Sequence, residues 1–295
     1  MVTLRPGPVT VGGIGFQNHL ILAAGVLGTT GSSLSRMLSA GAGGVVTKSI
    51  GPVANPGHPG PCLVPVEGGL LNAMGLPNPS KDFSGELRAI RSGPVIASVY
   101  GGTPGEFFEV ASWFSDLVAG FELNLSCPHA EGYGAAIGSD PALVEECTRA
   151  VARIGAPVFV KLTPNVADIA GIGLAAERGG ASALVAINTL RAMRISTGLK
   201  RPVLGNRYGG LSGPAIFPVA VRCVYELYES CSIPIVGCGG VSTADQVVEL
   251  MMAGAGAVEI GSAVYRDRSV FARIAADLYS PDGCDPVEIV GCAHG

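Results

Sequence analysis

The run FELNLSCPHAEGYG, residues 121–134, closes an apolar stretch with Glu122, Asn124, Ser126 and Cys127 before turning into Pro, His and Gly. A strand that served packing alone has no use for this ending, because Asn, Ser and Gly are poor strand residues and Pro donates nothing to a ladder. Other apolar runs finish in the same way. Thr47, Lys48 and Ser49 end one and Ser98 another; Lys161 and Thr163, Asn188 and Thr189, Gly239 and Gly240, and Gly261 and Ser262 end four more. An acid, amides, hydroxyls, a thiol and two lysines are the means for acid–base work, for reading a polar ring and for holding an anion.

The lysines carry the sharpest implication. If Lys48 and Lys161 face one mouth, each is costly to bury unless an anion or a hydrogen-bonding group meets it, so a bound anion is expected. Glycines after the last two runs, in GCGGVSTADQ and EIGSAV, let backbone N–H groups approach a phosphate, and a helix start near Ser242 adds its dipole. From spacing alone Lys161 is also open to two other readings, a Schiff-base nucleophile or a structural ion-pair partner of Glu122. Cys127 is likewise open to being either a reactive or an inert thiol.

Eight apolar runs supply the polar endings or alternate with them: residues 20–25, 43–50, 94–101, 120–126, 157–164, 183–189, 234–240 and 257–263. Each is followed by a stretch long enough for a helix. Strands alternating with helices imply right-handed βαβ units and a parallel sheet, and eight units suggest closure into an α/β fold of the (β/α)8 barrel type. Two connecting helices have clear signals. SDPALVEECTRAVARI opens on a Ser/Asp cap and a first-turn Pro, with Leu143, Val144, Cys147, Val151 and Ile154 at helical spacing. STADQVVELMMAGA has Ser242 or Thr243 as its cap, a Val247, Val248, Met251 and Met252 core face, and an end at Gly254. Two connections, residues 51–81 and 190–212, are too long for simple barrel loops and are expected to be lids or subdomains at the catalytic face. The expected domain is a single one over residues 1–295 with insertions at about 51–81 and 190–212.

The bulk properties agree with a large buried core. Of the 295 residues 48% are hydrophobic and 14% charged, which excludes disorder. Mean hydropathy is +0.44, yet no 18-residue stretch escapes a charge, a proline or a polar break, so no membrane span is expected. The N-terminal residues lack the pattern of a signal peptide, and a cytoplasmic protein is expected. The net charge of −4 gives no footprint for nucleic acid, and the cluster Arg191, Arg194, Lys200, Arg201 and Arg207 is local. The eight cysteines have no metal-site spacing, so no metal is expected and most are read as small buried hydrophobes.

Several motifs occur in order: AMGLPN after LN, ELNLSCPHAEGYG, VKLTPNV, AINTLRAM, YGGLSGPAIFPVAVR, PIVGCGGV and AVEIGSAV. Together, from residue 20 to about 265, they resemble the class 1 dihydroorotate dehydrogenases, specifically the class 1B form of archaea and many bacteria. The resemblance implies a (β/α)8 barrel that holds FMN and oxidises dihydroorotate to orotate in pyrimidine biosynthesis. Cys127 is then the base that takes the C5 proton while FMN N5 takes the C6 hydride. The pyrimidine is surrounded by Lys48, Asn72, Met74, Gly75, Leu76, Asn124, Asn188 and Thr189. Lys161 sits by the flavin ring, and Ala24, Gly25, Lys48, Ser49, Ser98, Asn124, Ile187, Gly213, Gly239, Gly240, Gly261 and Ser262 hold the cofactor.

The chemistry is consistent with that assignment. Oxidising a C–C bond beside a carbonyl needs one base and one hydride acceptor. A free thiol has a pKa of about 8.5, so activity is expected to rise with pH until Cys127 ionises. Amide side chains offer a donor and an acceptor to a uracil-like imide edge. Where the family usually reads Cys-Pro-Asn, this chain reads Cys127-Pro128-His129, as do archaeal members and the flavin domain of dihydropyrimidine dehydrogenase. The alternative function is therefore a dihydropyrimidine dehydrogenase-like reduction of uracil or thymine. Other rivals are a flavin-free Schiff-base lyase using Lys161, a tRNA dihydrouridine synthase, for which the basic face is missing, and a pure binding role. The resemblance also implies a homodimer, able to join a separate electron-transfer subunit that carries FAD and a [2Fe–2S] cluster and passes electrons to NAD+. This chain has neither a cluster-type Cys spacing nor a dinucleotide-binding fingerprint of its own.

Overall fold

The computed structural model describes residues 2–125 and 137–295. Eight parallel strands close into a barrel: β1 Leu20–Leu22, β2 Gly44–Val46, β3 Val95–Val99, β4 Gly120–Asn124, β5 Val158–Leu162, β6 Ala183–Ala186, β7 Ile235–Cys238 and β8 Ala255–Ile260. Neighbours in space are neighbours in sequence, and β8 closes onto β1 through Val258↔Leu20. All eight overlap the apolar runs read from the sequence, the last beginning two residues earlier, at Ala255 rather than at residue 257. They are legible because a parallel strand is buried on both faces and so reads as a nearly unbroken apolar run.

Alternation along each strand separates two cores. Outward-facing residues such as Leu20, Val45, Phe121, Val160 and Leu184 pack in one cluster with the surrounding helices. Inward-facing Ile21, Val46, Ile96, Phe159, Val185, Val236 and Ala257 form a second cluster, packed against Val11, Ile14 and Phe16 of an N-terminal hairpin, Val9–Val11 with Ile14–Phe16. Following the same alternation toward the C-terminal strand ends brings the polar residues inside. Lys48 follows Val46, Ser98 follows Ile96, Lys161 follows Phe159 and Cys238 follows Val236, each two residues on.

Among the described residues, the α-helices of five or more residues are α1 Gly31–Ser39, α2 Ser84–Arg88, α3 Pro104–Ser112, α4 Pro141–Ala152, α5 Ile169–Arg178, α6 Phe217–Ser230, α7 Ala244–Met252 and α8 Val270–Leu278. Side chains of Thr30, Thr103, Asp140, Asp168 and Thr243 cap α1, α3, α4, α5 and α7 by accepting from first-turn amides. At α7 the cap is Thr243. Ser242, one residue before the cap, donates its backbone N–H to Gln246 Oε1 at 2.8 Å. The helix ends at Met252, before Gly254, with Ala253 as its C-cap.

The two insertions expected as lids or subdomains have more order than their composition suggests. Leu63–Val66 and Gly69–Asn72 from the first pair with Leu190–Ala192 and Gly209–Ser212 from the second in one four-stranded antiparallel sheet. Gly210↔Asn72 is the register that ties them, and Asn72 Nδ2 donates to Gly210 O at 3.1 Å. Among the described residues, no helix is long and apolar enough to cross a membrane.

The cysteines divide. Cys147, Cys223 and Cys238 are buried as expected of small hydrophobes, but Cys284 and Cys292 are exposed. Both lie near the C-terminus, beyond the barrel strands, where no sequence pattern distinguished them.

Candidate active site

A cavity of about 350 Å³ opens among the C-terminal strand ends, with the insertion sheet beside it. Its polar lining falls into three parts. One is a chain of hydrogen bonds running from β3 to the end of β6. Ser98 and Ser49 share a 2.9 Å hydroxyl contact, Asn124 Nδ2 donates to Ser49 Oγ at 3.0 Å, and Asn188 Nδ2 donates to Asn124 Oδ1 at 3.2 Å. Asn188 Oδ1 in turn accepts from the Thr189 amide at 2.8 Å. Each amide is thus oriented by its neighbour, and Lys48, Asn72, Asn124, Asn188 and Thr189 all line the same space.

Lys48 is held from behind. Its backbone N–H donates to Gly28 O at 3.0 Å, and the turn at Gly28 has φ +98° and would also place a Cβ 2.9 Å from that nitrogen. Only glycine accepts both demands.

The second part lies deeper. Lys161 Nζ on β5 is 2.6 Å from Glu259 Oε2 on β8 and 3.5 Å from Glu122 Oε1 on β4. Glu122 is 0% exposed, Glu259 1% and Lys161 5%. Burial pushes the Glu122 carboxyl well above its ordinary range, helped by the charge of Glu259 and opposed by Lys161. Burial works to lower the Lys161 pKa, but Cys238, Glu122 and Glu259 outweigh it, and the net direction is upward. The Cys238 thiol is itself pushed up to about 12, first by burial, so at neutral pH it is uncharged, and Glu259 at 2.6 Å is the closest counter-charge to the lysine. Lys161 is therefore an ammonium ion, which argues against a Schiff-base nucleophile. Its closest acid is Glu259; the pairing with Glu122 expected from sequence is the longer one.

The third part is bare backbone. Gly25, Gly239, Gly240, Gly261 and Ser262 line the cavity beside Ala24 and Ile187. A Cβ on Gly25 would meet nothing within 4 Å, and one on Gly261 would come no closer than 3.4 Å to Ala23. The space beside Gly25 and Gly261 is room for a ligand rather than packing.

Met74, Gly75 and Leu76 also line the cavity, in a turn secured by Asn78. Asn78 Nδ2 donates to Leu76 O and to Tyr100 Oη, both at 2.9 Å, while its Oδ1 accepts from the Gly51 and Ser80 amides at 3.2 and 2.9 Å. Leu76 and Ser80 both stand at φ +56°. Two residues expected at the site stand behind its wall: Ser98 supports Ser49, and Gly213 O abuts the position a Cβ of Gly240 would occupy, at 2.7 Å. Cys127, together with Ser126 and His129, lies outside the described residues. Among the described residues, no group of three or more His, Cys, Asp or Glu is arranged to hold a metal ion.

Sequence reasoning missed Glu259, Cys238 and Tyr265, which all bear on this cavity. Glu259 had a signal: it is the sole charged residue in the run AVEIGSAV.

The sequence model of the dihydroorotate dehydrogenase family matches residues 8–280. This chain belongs to the dihydroorotate dehydrogenase family. It is 55% identical over 290 residues to the dihydroorotate dehydrogenase B (NAD(+)) catalytic subunit of Methanocella arvoryzae, covering 96% of each chain. The protein of the same name from Methanosarcina mazei is 55% identical over 296 residues, covering 97% of this chain and 94% of the relative. That of Pyrococcus abyssi is 48% identical over 293 residues, covering 97% and 98%. Membership gives the cavity a context: the family-type motifs are the segments whose ends meet in it.

Proposed function

We propose that this chain is an FMN-dependent dihydroorotate dehydrogenase, acting as one domain over residues 1–295, that oxidises dihydroorotate to orotate for pyrimidine biosynthesis. The observation that carries the reading is the convergence of Lys48, Asn72, Asn124 and Asn188 on one cavity that also receives Lys161. A planar ring with an imide edge and a carboxylate calls for this donor set. The amides match the imide's alternating donor and acceptor, and a lysine meets the carboxylate.

The residues present fit a flavin. The cavity falls within the usual range of ligand pockets, roughly 300–1,000 Å³. Gly25 and Gly261 leave open the space that a ring system needs, and Gly239, Gly240, Gly261 and Ser262 bring backbone close enough to serve a phosphate. Bound FMN supplies the hydride acceptor for the C6 hydrogen. The chain's own part is acid–base and electrostatic. Cys127 takes the C5 proton, Lys48 and the asparagines hold the pyrimidine, and Lys161 offers its ammonium to negative charge gained by the ring. The proposed final acceptor is NAD+, the one in the relatives' names, and the proposed assembly is a homodimer joined by a separate electron-transfer subunit that would hold FAD and a [2Fe–2S] cluster.

Anaerobic titration of the purified protein with dihydroorotate, followed by flavin absorbance, tests the proposal. Bleaching by dihydroorotate and not by dihydrouracil is the expected result. Bleaching by dihydrouracil alone transfers the chain to the uracil-reducing class, and a protein that neither carries nor takes up FMN overturns the reading altogether.

A further inference from the structure

Beneath the cavity are two carboxyl groups and one ammonium, and their hydrogen bonds do not balance if both acids are ionised. Glu259 Oε2 receives Lys161 at 2.6 Å. The other three oxygens, Glu122 Oε1, Glu122 Oε2 and Glu259 Oε1, are buried with no hydrogen-bond donor among the described residues. Lys161 Nζ stands 3.5 Å from Glu122 Oε1, an ion-pair contact longer than a normal N–H···O hydrogen bond. Buried acceptors left in this state are costly, and two like charges on the same ammonium more so. One proton changes the count. Placed on Glu122, it gives that group a hydroxyl donor and gives Glu259 a second partner.

We propose that Glu122 is carried as a neutral carboxylic acid that donates to Glu259, so that Glu259, clamped between this acid and Lys161, positions the ammonium beneath the flavin ring. The inference rests on the flavin-binding reading above. It assigns Glu122 a role as a positioning residue, acting on the cofactor only through Glu259 and Lys161. Among the described residues, the groups facing the pair are consistent with a neutral total. Lys161 brings one positive charge from β5, Glu259 one negative charge from β8, and the Cys238 thiol from β7 none. Burial of Glu122 and the neighbouring Glu259 charge act in the same direction, both favouring the protonated acid. A net charge of zero leaves the ammonium able to answer a negative charge arriving above it. An ionised Glu122 would leave the cluster with a net negative charge, opposing electron transfer into the ring.

The isosteric Glu122→Gln variant discriminates between the two protonation states, because its amide N–H stands in for the acid hydroxyl and its charge matches the neutral form. Two readouts on the intact protein are decisive. With glutamate 13C-labelled at the carboxyl carbon, wild type at pH 7 is expected to show one neutral-acid resonance that is missing from Glu122→Gln; a spectrum containing carboxylates alone overturns the proposal. The midpoint potential of the bound flavin at pH 7 is expected to be the same in Glu122→Gln as in wild type, and a clear rise overturns it, since that is the result of deleting a real negative charge. Glu122→Leu, which has no donor, is expected to weaken FMN binding roughly tenfold, the cost of a buried acceptor without its partner, and Glu122→Gln to restore it. Equal binding by the two variants removes the positioning role. The carbon resonance needs no flavin, so a chain that fails to bind FMN ends the functional reading while leaving the protonation state to be decided.

Discussion

Replacing Lys161 with Met removes the ammonium and leaves its carboxyl partners in place. Lys161 is buried, with Glu259 at 2.6 Å and Glu122 at 3.5 Å, so the change strips a buried pair of its cation. Such a loss costs about 3–5 kcal/mol near neutral pH. The magnitude must also depend on pH. Glu122 has a folded pKa raised above its unfolded value, so its contribution is full below the unfolded pKa and lost as pH rises toward the folded one. Without Lys161, folding requires a second proton on the pair. Each proton taken up against an unfolded carboxyl pKa of about 4.3 costs about 1.4 kcal/mol per pH unit. The stability gap between wild type and Lys161→Met should therefore widen by about 2.7 kcal/mol from pH 5.5 to 7.5. Lysine itself adds no slope there, because both folded and unfolded forms hold its proton. Urea unfolding of matched flavin-free samples at both pH values measures the gap, and Lys161→Met/Glu259→Gln should recover most of the loss. A gap that stays constant with pH would refute the argument that the pair must neutralise itself.

Three further outcomes are expected. Cys127→Ser should keep its flavin and lose at least about 10²-fold in turnover near neutral pH, the usual contribution of a positioned base, and wild-type-like turnover would remove Cys127 from the mechanism. Asn78→Ala deletes four hydrogen bonds around the Leu76 turn and should destabilise the chain by roughly 2–4 kcal/mol, raising KM for dihydroorotate more than it lowers kcat; an unchanged KM would mean the turn does not hold the substrate. Gly261→Val sends methyl groups into open cavity, so the protein should fold with native circular dichroism while FMN affinity, read by flavin fluorescence, falls by at least about tenfold. Native-like affinity would put the flavin elsewhere.

The barrel was legible in the sequence, whereas the insertion sheet was not, and the reason is physical. Strands β1 to β8 are buried on both faces, so each reads as a short apolar run. The sheet strands have weak runs: Leu63–Val66 contains Pro65, and Gly209–Ser212 opens on two glycines. Both features argue against a strand in isolation. Pro65 is tolerated because Leu63–Val66 is an edge strand, and Gly210 is required because a Cβ there would stand 2.7 Å from Thr189 Cβ. What makes these segments strands is pairing between residues such as Asn72 and Gly210, far apart in sequence, and no local pattern records that.

Much of the candidate site was legible for a reason that also explains what was missed. Polar residues at strand ends were read as facing one mouth, and Lys48, Ser49, Asn124, Lys161, Asn188 and Thr189 do line one cavity. Glu259 lies inside a strand rather than at its end, and strand-end reasoning passed over it. Parity is the better guide. Side chains two apart share a face, so the glycine at 261, read as facing the ligand, commits Glu259 to the barrel interior. The same step leads from Asn124 back to Glu122 and from Thr163 back to Lys161. Three charged residues on strands β4, β5 and β8, each one interior position below the rim, have to meet, because a barrel interior at that depth has nowhere else to put them. Their meeting sets the charge under the cavity, so what was missing from the sequence reading is the element on which the protonation test turns.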